Sequence, residues 1–381
     1  MDTTATGIGG RVRASIPAGM TQGQLAEAVD MPPDALSRSL HGKRGFAPFE
    51  LARIADELQA DLHWFITGEP DPFSVRIAAR HSWDSVSGAH TNPGASADEE
   101  IVSRIVGVYR EAYPDGPPPT SELPSTAAAT RERLGDSPVR ELAERVQDRL
   151  DVDVVRVPGL TTDYSLCIGA RRVILLGATH RWFRSNWSLA HELGHIVLGH
   201  HLDDGRDADR DEPAANRFAS ELLLPRKVVL PTLGEPSCGS VVERELANAV
   251  WDLGVSTEAL YHRAQGLEVD VSESARHVLR SSTSRLMREH IDPSRVSARE
   301  MGAVVRSAPL HLITALEERT RAGEADPLVL NWLLDVPVDE IDFPDPDGPE
   351  MVRKRQAAAE RRRQETLDLA RQRARQRAMS A

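Results

Sequence analysis

Ser188-Leu189-Ala190-His191-Glu192-Leu193-Gly194-His195-Ile196-Val197-Leu198 is the stretch from which the rest of the chain is read. Successive residues of a helix turn by about 100°. His191 and His195, four apart, therefore share one face. Two neutral imidazoles at that spacing can hold one zinc ion, and Glu192 beside them can take a proton from an activated water. Apolar residues flank the pair, as a buried helix requires, and Ser185 or Asn186 can cap its start. The motif fixes only three residues in five, so its surroundings decide between a hydrolytic zinc site and a helix with incidental histidines.

A catalytic zinc takes three protein ligands and leaves a fourth position for water. Four residues are candidates for the third ligand: His200, His201, Glu212 and Glu221. On an uninterrupted helix His200 lies about 140° and His201 about 240° around from His195, so both point away. The acidic run Asp203 to Glu212 reads mostly as a solvated loop. Glu212, however, opens a further helix that Pro225 ends, and a carboxylate on a second helix facing the first gives a His₂Glu set. Glu221 stands near the exit of that helix. Upstream, Val152 to Val157 reads as a strand. Tyr164 to Ile168 and Arg172 to Leu176 flank Gly169-Ala170-Arg171, which predicts a hairpin. An exposed strand edge next to the metal helix can hold an extended peptide.

Ala190-His-Glu-Leu-Gly-His195, followed by Glu212-x-x-Ala215-Asn216-x-Phe218-Ala219-x-x-Leu222-Leu223-x-Pro225, resembles the ImmA/IrrE metallopeptidase family over about residues 136–270. The resemblance implies a zincin-like zinc endopeptidase that cuts a DNA-binding repressor. It implies His191, His195 and Glu212 as zinc ligands, Glu192 as the general base, and Asn216 as a residue behind the ligands. Pro213-Ala214 departs from the acidic or polar residues common there. Tyr261-His262, on a predicted helix from Thr257 to Gln265, could reach the site or be ordinary helix surface.

At the N-terminus, Thr21 caps a short helix with Leu25, Ala28 and Val29 inside. Asp30-Met31 turns, and further helices run from about Pro32 to Leu40 and from Phe49 to Leu58. Thr21-Gln22, Leu25-Ala26, Ser37-Arg38, Gly42 and Trp64-Phe65-Ile66-Thr67-Gly68-Glu69 resemble the XRE (Cro/cI-type) helix-turn-helix family. That resemblance implies DNA binding, with Asp34, Ser37 and Arg38 reading bases and Gln22, Lys43 and Arg44 anchoring phosphates. Asp30 replaces the usual turn glycine, Pro32-Pro33 opens the recognition helix, and Asp34 repels phosphate. A module that only dimerises or binds a protein is the alternative.

The 381 residues suffice for two or three domains, and 40% apolar content supports real cores. A net charge of -12 argues against a general nucleic-acid coat, though not against one small DNA-reading module. Cys167 and Cys238 stand far apart and form no metal-type pair, which suits a reducing cytoplasm. The sequence shows no membrane-spanning apolar run and no signal-peptide core. Ser87 to Ala97 reads as a loop, Ile101 to Tyr113 as a helix, and Pro114 to Thr130 as a Pro/Ser/Thr-rich linker. A helix then starts at Asp136-Ser137-Pro138. Ser272 to His290 reads as a helix, and Ser297 to Arg321 as further helix interrupted around Ser307-Ala308-Pro309. Residues 337–348 form an acidic break, and a tail from Glu350 carries ten basic against four acidic residues.

The expected fold is mainly α with a small β-sheet (α+β). It divides into a helix-turn-helix at 1–70, a helix and linker at 71–135, the metallopeptidase-like unit at 136–270, and a helical region at 271–381. The expected activity is cleavage of a repressor or antitoxin-like protein by a cytoplasmic enzyme that reaches DNA through its N-terminal domain. The chain is compatible with a homodimer. The rivals are a non-proteolytic regulator that uses the peptidase-like fold as a sensor, and a protease that cuts its own linker.

Overall fold

The computed structural model describes residues 7–77, 82–84, 89–91, 95–135, 141–201, 208–233 and 240–337. The helix start at Asp136, the first half of the acidic run (residues 203–207), Cys238 and the basic tail lie outside the described residues. The chain divides into two compact units, Met1–Ser74 and Val75–Ala381.

The first unit is all helical: α1 (Ile8–Ser15), α2 (Gln22–Ala28), α3 (Pro33–Leu40), α4 (Pro48–Glu57) and α5 (Leu62–Thr67). Thr21 caps α2 reciprocally. Its hydroxyl accepts from the Gln24 N–H, and its own N–H donates to the Gln24 side chain at 2.8 Å. Asp30 adopts φ 54° between α2 and α3, and the Met31 N–H returns to the Ala26 carbonyl. Val12, Leu25, Leu36, Leu40, Ile54 and Phe65 close the core. Gly9-Gly10 disfavours a helix on local propensity, yet α1 forms across them. Packing selects Gly9: a Cβ there would come within 2.5 Å of the Ser39 carbonyl.

The second unit contains β1 (Val75–Ile77), β2 (Ser82–Asp84), β3 (Ala89–Thr91), α6 (Ala95–Ala112), α7 (Ala127–Leu134), α8 (Leu142–Leu150), β4 (Asp153–Val157), β5 (Tyr164–Ile168) and β6 (Arg171–Gly177). Then follow α9 (Trp182–Val197), α10 (Ala208–Leu223), α11 (Arg226–Leu233), α12 (Ser240–Leu253), α13 (Thr257–Gly266), α14 (Glu273–Leu279), α15 (Thr283–His290), α16 (Pro293–Gly302), α17 (Leu310–Ala322) and α18 (Pro327–Leu334). The main sheet runs β1-β5-β6-β4. The hairpin β5–β6 is antiparallel, β4 lies parallel to β6, and β1 adds antiparallel to the free edge of β5. Within the span read as a loop, β3 pairs antiparallel with β2. The span Ser272 to His290 is two helices, broken at 280–282.

The stretch read as helix and linker is tied into this unit. Beyond β1, Asp98 on α6 accepts from the Thr161 backbone and from the hydroxyls of Thr161 and Tyr164. Thr120 lies over the hairpin turn. Its N–H donates to the Ala170 carbonyl, and its hydroxyl accepts from the Arg172 N–H at 2.8 Å. The C-terminal helices share the main core. Val278, Leu286, Met287 and Val296 join Leu189, Leu193, Phe218, Leu246 and Val250. Arg299 of α16 stacks on Trp182 at 3.6 Å and on Trp251 at 4.8 Å.

The buried Asp153 of β4 sets a charged clasp. Arg171 pairs with it and with Asp151, the Tyr109 hydroxyl donates to it, and His311 of α17 reaches it at 2.8 Å. Burial opposes ionisation of Asp153, but the His311 bond and the Arg171 bond and charge prevail and hold it below its ordinary value. A lowered carboxylate contributes stability above its unfolded value, near 3.9, and loses it as pH falls through the folded value. Stability is therefore expected to fall below about pH 4. Asp153→Ala, which strands Arg171, should cost about 3–5 kcal/mol in a urea titration at neutral pH, nearer the lower figure because Asp151 still pairs with Arg171. The variant should also show a flatter acid limb.

Candidate metal centre

α9 begins at Trp182, earlier than Ser185 or Asn186. It has no side-chain cap, and the Asn186 amide instead donates to the Gly254 carbonyl at 3.0 Å. Leu189, Leu193 and Ile196 bury one flank, which turns His191 and His195 toward α10. α10 begins at Ala208, so Glu212 sits one turn inside it rather than at its start, with Pro213 behind it. The two helices approach closely at Gly194, where a Cβ would meet Phe218 at 3.1 Å and Ala215 at 3.2 Å.

That approach brings three ligand atoms together. The Nε2 atoms of His191 and His195 are 3.1 Å apart. The Glu212 carboxylate lies 3.2 Å from His191 Nε2 and 3.4 Å from His195 Nε2. Zinc–nitrogen bonds of about 2.0–2.1 Å in tetrahedral array require ligands about 3.3–3.4 Å apart. The observed edges match, so the donor set fits the ion in type, number and spacing. His191, His195 and Glu212 are also the one group of metal-capable side chains found among the described residues.

Of the other candidates, Glu221 is exposed near Arg226, Lys227 and Arg263, and neither His200 nor His201 joins the group. His201 is buried, and burial with the nearby Arg172 and Arg76 pushes its imidazolium down to about 4. Asn216, one turn beyond Glu212, presents Oδ1 to His191 Nδ1 at 3.1 Å. The imidazole N–H donates there, which leaves Nε2 as the nitrogen that faces Glu212 and is available to a metal. Tyr261 and His262 line a cavity of about 580 Å³ with Arg181 and Arg280, whose lining includes none of the three ligand candidates.

The two glutamates are driven in opposite directions. Burial pushes Glu212 up, but bonds to His191 and His195 outweigh it and hold the carboxylate well below its ordinary value. Glu192 is buried, and that burial raises it; the charges of His191 and His195 and the Ser165 hydroxyl only partly oppose the rise. Its Oε2 is buried with no hydrogen-bond partner among the described residues. A buried carboxylate oxygen without a donor costs free energy, so it points to a group that the site is built to receive. Burial also lowers His191, yet Glu212 and Glu192 more than compensate and keep it above its usual value.

In the first unit, Gln22, Asp34, Arg38 and Lys43 are exposed and Ser37 is half-buried. Arg44 gives its guanidinium to both oxygens of the buried Glu50 at 2.9 Å and to the Ser39 hydroxyl.

Residues 147–265 match the peptidase M78 family model, described as the IrrE N-terminal-like domain. The match spans β4 to α13 and so includes both helices of the metal group. No curated protein and no solved structure matches the chain. Among the described residues no helix is long and apolar enough to cross a membrane.

Elemental analysis should find about one zinc per wild-type chain, and His195→Ala and Glu212→Gln should each lose it. Gly194→Val should force α9 and α10 apart. An overpacked contact of this kind costs about 1–3 kcal/mol in urea unfolding, here with a drop in metal stoichiometry.

Proposed function

We propose that this chain is a zinc-dependent endopeptidase that cleaves a DNA-binding repressor or antitoxin-like protein in the cytoplasm. The observation that carries the reading is Glu192: a buried, proton-seeking carboxylate beside two metal-capable histidines. A purely structural zinc site closes with four ligands and needs no such base. The M78 match supports the peptidase class.

His191, His195 and Glu212 would hold the ion. Bound there, zinc supplies Lewis acidity, which brings the pKa of water near neutrality and polarises a peptide carbonyl. Glu192 takes the proton of the attacking water and delivers it to the leaving amine, and its raised pKa suits both halves of that transfer. Asn216 holds His191 in the tautomer with a free Nε2.

The first unit's exposed Gln22, Asp34, Arg38 and Lys43, with Ser37, form the proposed DNA-facing set. Arg44 contributes by fixing the chain before α4 through Glu50 rather than by a free phosphate contact. DNA binding would bring the peptidase to the operator occupied by its target.

Glu192→Gln should keep full zinc content and lose about 10²–10⁴-fold in cleavage rate, the usual weight of a general base. N-terminal labelling of proteins from cells expressing wild type or the variant checks this. New termini in a DNA-binding protein with wild type alone support the reading, and identical termini in both overturn it.

A further inference from the structure

The chain leaves α9 by a left-handed turn. Gly199 has φ 75°, its N–H returns to the Ile196 carbonyl, and the His200 N–H returns to the His195 carbonyl. This reversal folds His200 back beneath its own helix instead of carrying it around the helix surface. His200 is buried, and its Nδ1 lies 2.8 Å from Nδ1 of His195, itself fully buried. On its far side, His200 Nε2 faces the buried Asp211 at 3.7 Å. Asp211 also accepts from Arg210 at 3.0 Å and immediately precedes Glu212 on α10.

Proton placement follows from the contacts. Only one of two facing Nδ1 atoms can carry the shared hydrogen. To ligate a metal beside Glu212 and His191, His195 needs its Nε2 lone pair free, which places its hydrogen on Nδ1, where it donates to His200. His200 then carries its own hydrogen on Nε2, toward Asp211. Two successive residues of α10 thus reach the same histidine from opposite sides: Glu212 beside its metal-facing nitrogen, and Asp211 behind it through His200.

We propose that His200, backed by Asp211, is a positioning residue that locks the tautomer and ring orientation of His195 for metal binding. The role rests on the metallopeptidase reading. It differs from ligation, because His200 directs neither nitrogen into the group formed by His191, His195 and Glu212. Partners behind a metal-bound histidine typically set about 10–100-fold in metal affinity.

The test uses the full chain and zinc alone, with affinity measured by competition against a chelator. His200→Phe removes the acceptor and should weaken zinc about 10–100-fold. His200→Asn places Oδ1 where Nδ1 was and should restore near wild-type affinity. Asp211→Ala should lower affinity in the same direction by less. Cobalt absorption spectra should shift for His200→Phe and return for His200→Asn. A wild type that binds no zinc overturns the metallopeptidase reading itself. Zinc bound normally by wild type and by His200→Phe overturns the positioning role alone. Equal losses in His200→Phe and His200→Asn reduce His200 to packing and also overturn it. If His200→Phe does not fold, ¹⁵N spectra of wild type decide. A coupling between the two Nδ1 atoms, with hydrogen on Nε2 of His200, supports the role, and hydrogen on Nδ1 of His200 overturns it.

Discussion

The absence of a side chain at Gly194 lets the backbones of α9 and α10 pack with Phe218 and Ala215 directly against the helix that carries both histidines. The reach of α10 to the two histidines follows from that separation, while the spacing of the histidines themselves follows from their four-residue interval on α9. Glu212 reaches both Nε2 atoms because α10 lies so near, and Asn216, one turn on, reaches the back of His191 for the same reason. The apolar residues that seal the contact, Leu189, Leu193, Phe218 and Leu222, fix the spacing through close packing.

Electrostatics then separates two residues of one type. Glu212 lies among histidine nitrogens and is held ionised. Glu192, on the same helix as those histidines, is enclosed and pressed toward its neutral form. Environments that drive paired carboxyls apart mark a division of labour between holding and proton transfer. The hydroxyl of Ser165 on β5 is the sheet's contribution to this environment.

The parts of the fold legible in the sequence are those with local causes. The period of α9, the Gly169 turn of the β5–β6 hairpin and the Thr21 cap each announce themselves within a few residues. Glu212 drew notice in the sequence because a carboxylate on a second helix suits the need for a third ligand, although the helix starts a turn earlier than the sequence suggests. What stayed hidden depends on tertiary contact. Nothing around Val75–Ile77 foretells pairing with a strand some ninety residues later. The Pro-rich stretch looks like a linker, because the partners that satisfy Thr120 and Ser121, Arg172 of β6 and Asp151 at the end of α8, lie far along the chain. The place of His200 against His195 was hidden because the helical angle holds only as far as Gly199, where the left-handed turn ends the helix.

The clasp at Asp153 and the Arg299 stack bear on what counts as a module here. The stretch 147–265 ends before His311, which closes over Asp153, and before Arg299, which covers Trp182 and Trp251. Excised at those limits, it would leave the buried Asp153 without its His311 and Tyr109 partners, and Trp182 and Trp251 without the guanidinium that covers them. The recognisable segment is therefore smaller than the cooperative one. Recombination that swapped it alone would inherit an open seam, whereas a cut after α18 would move the seam's two sides together.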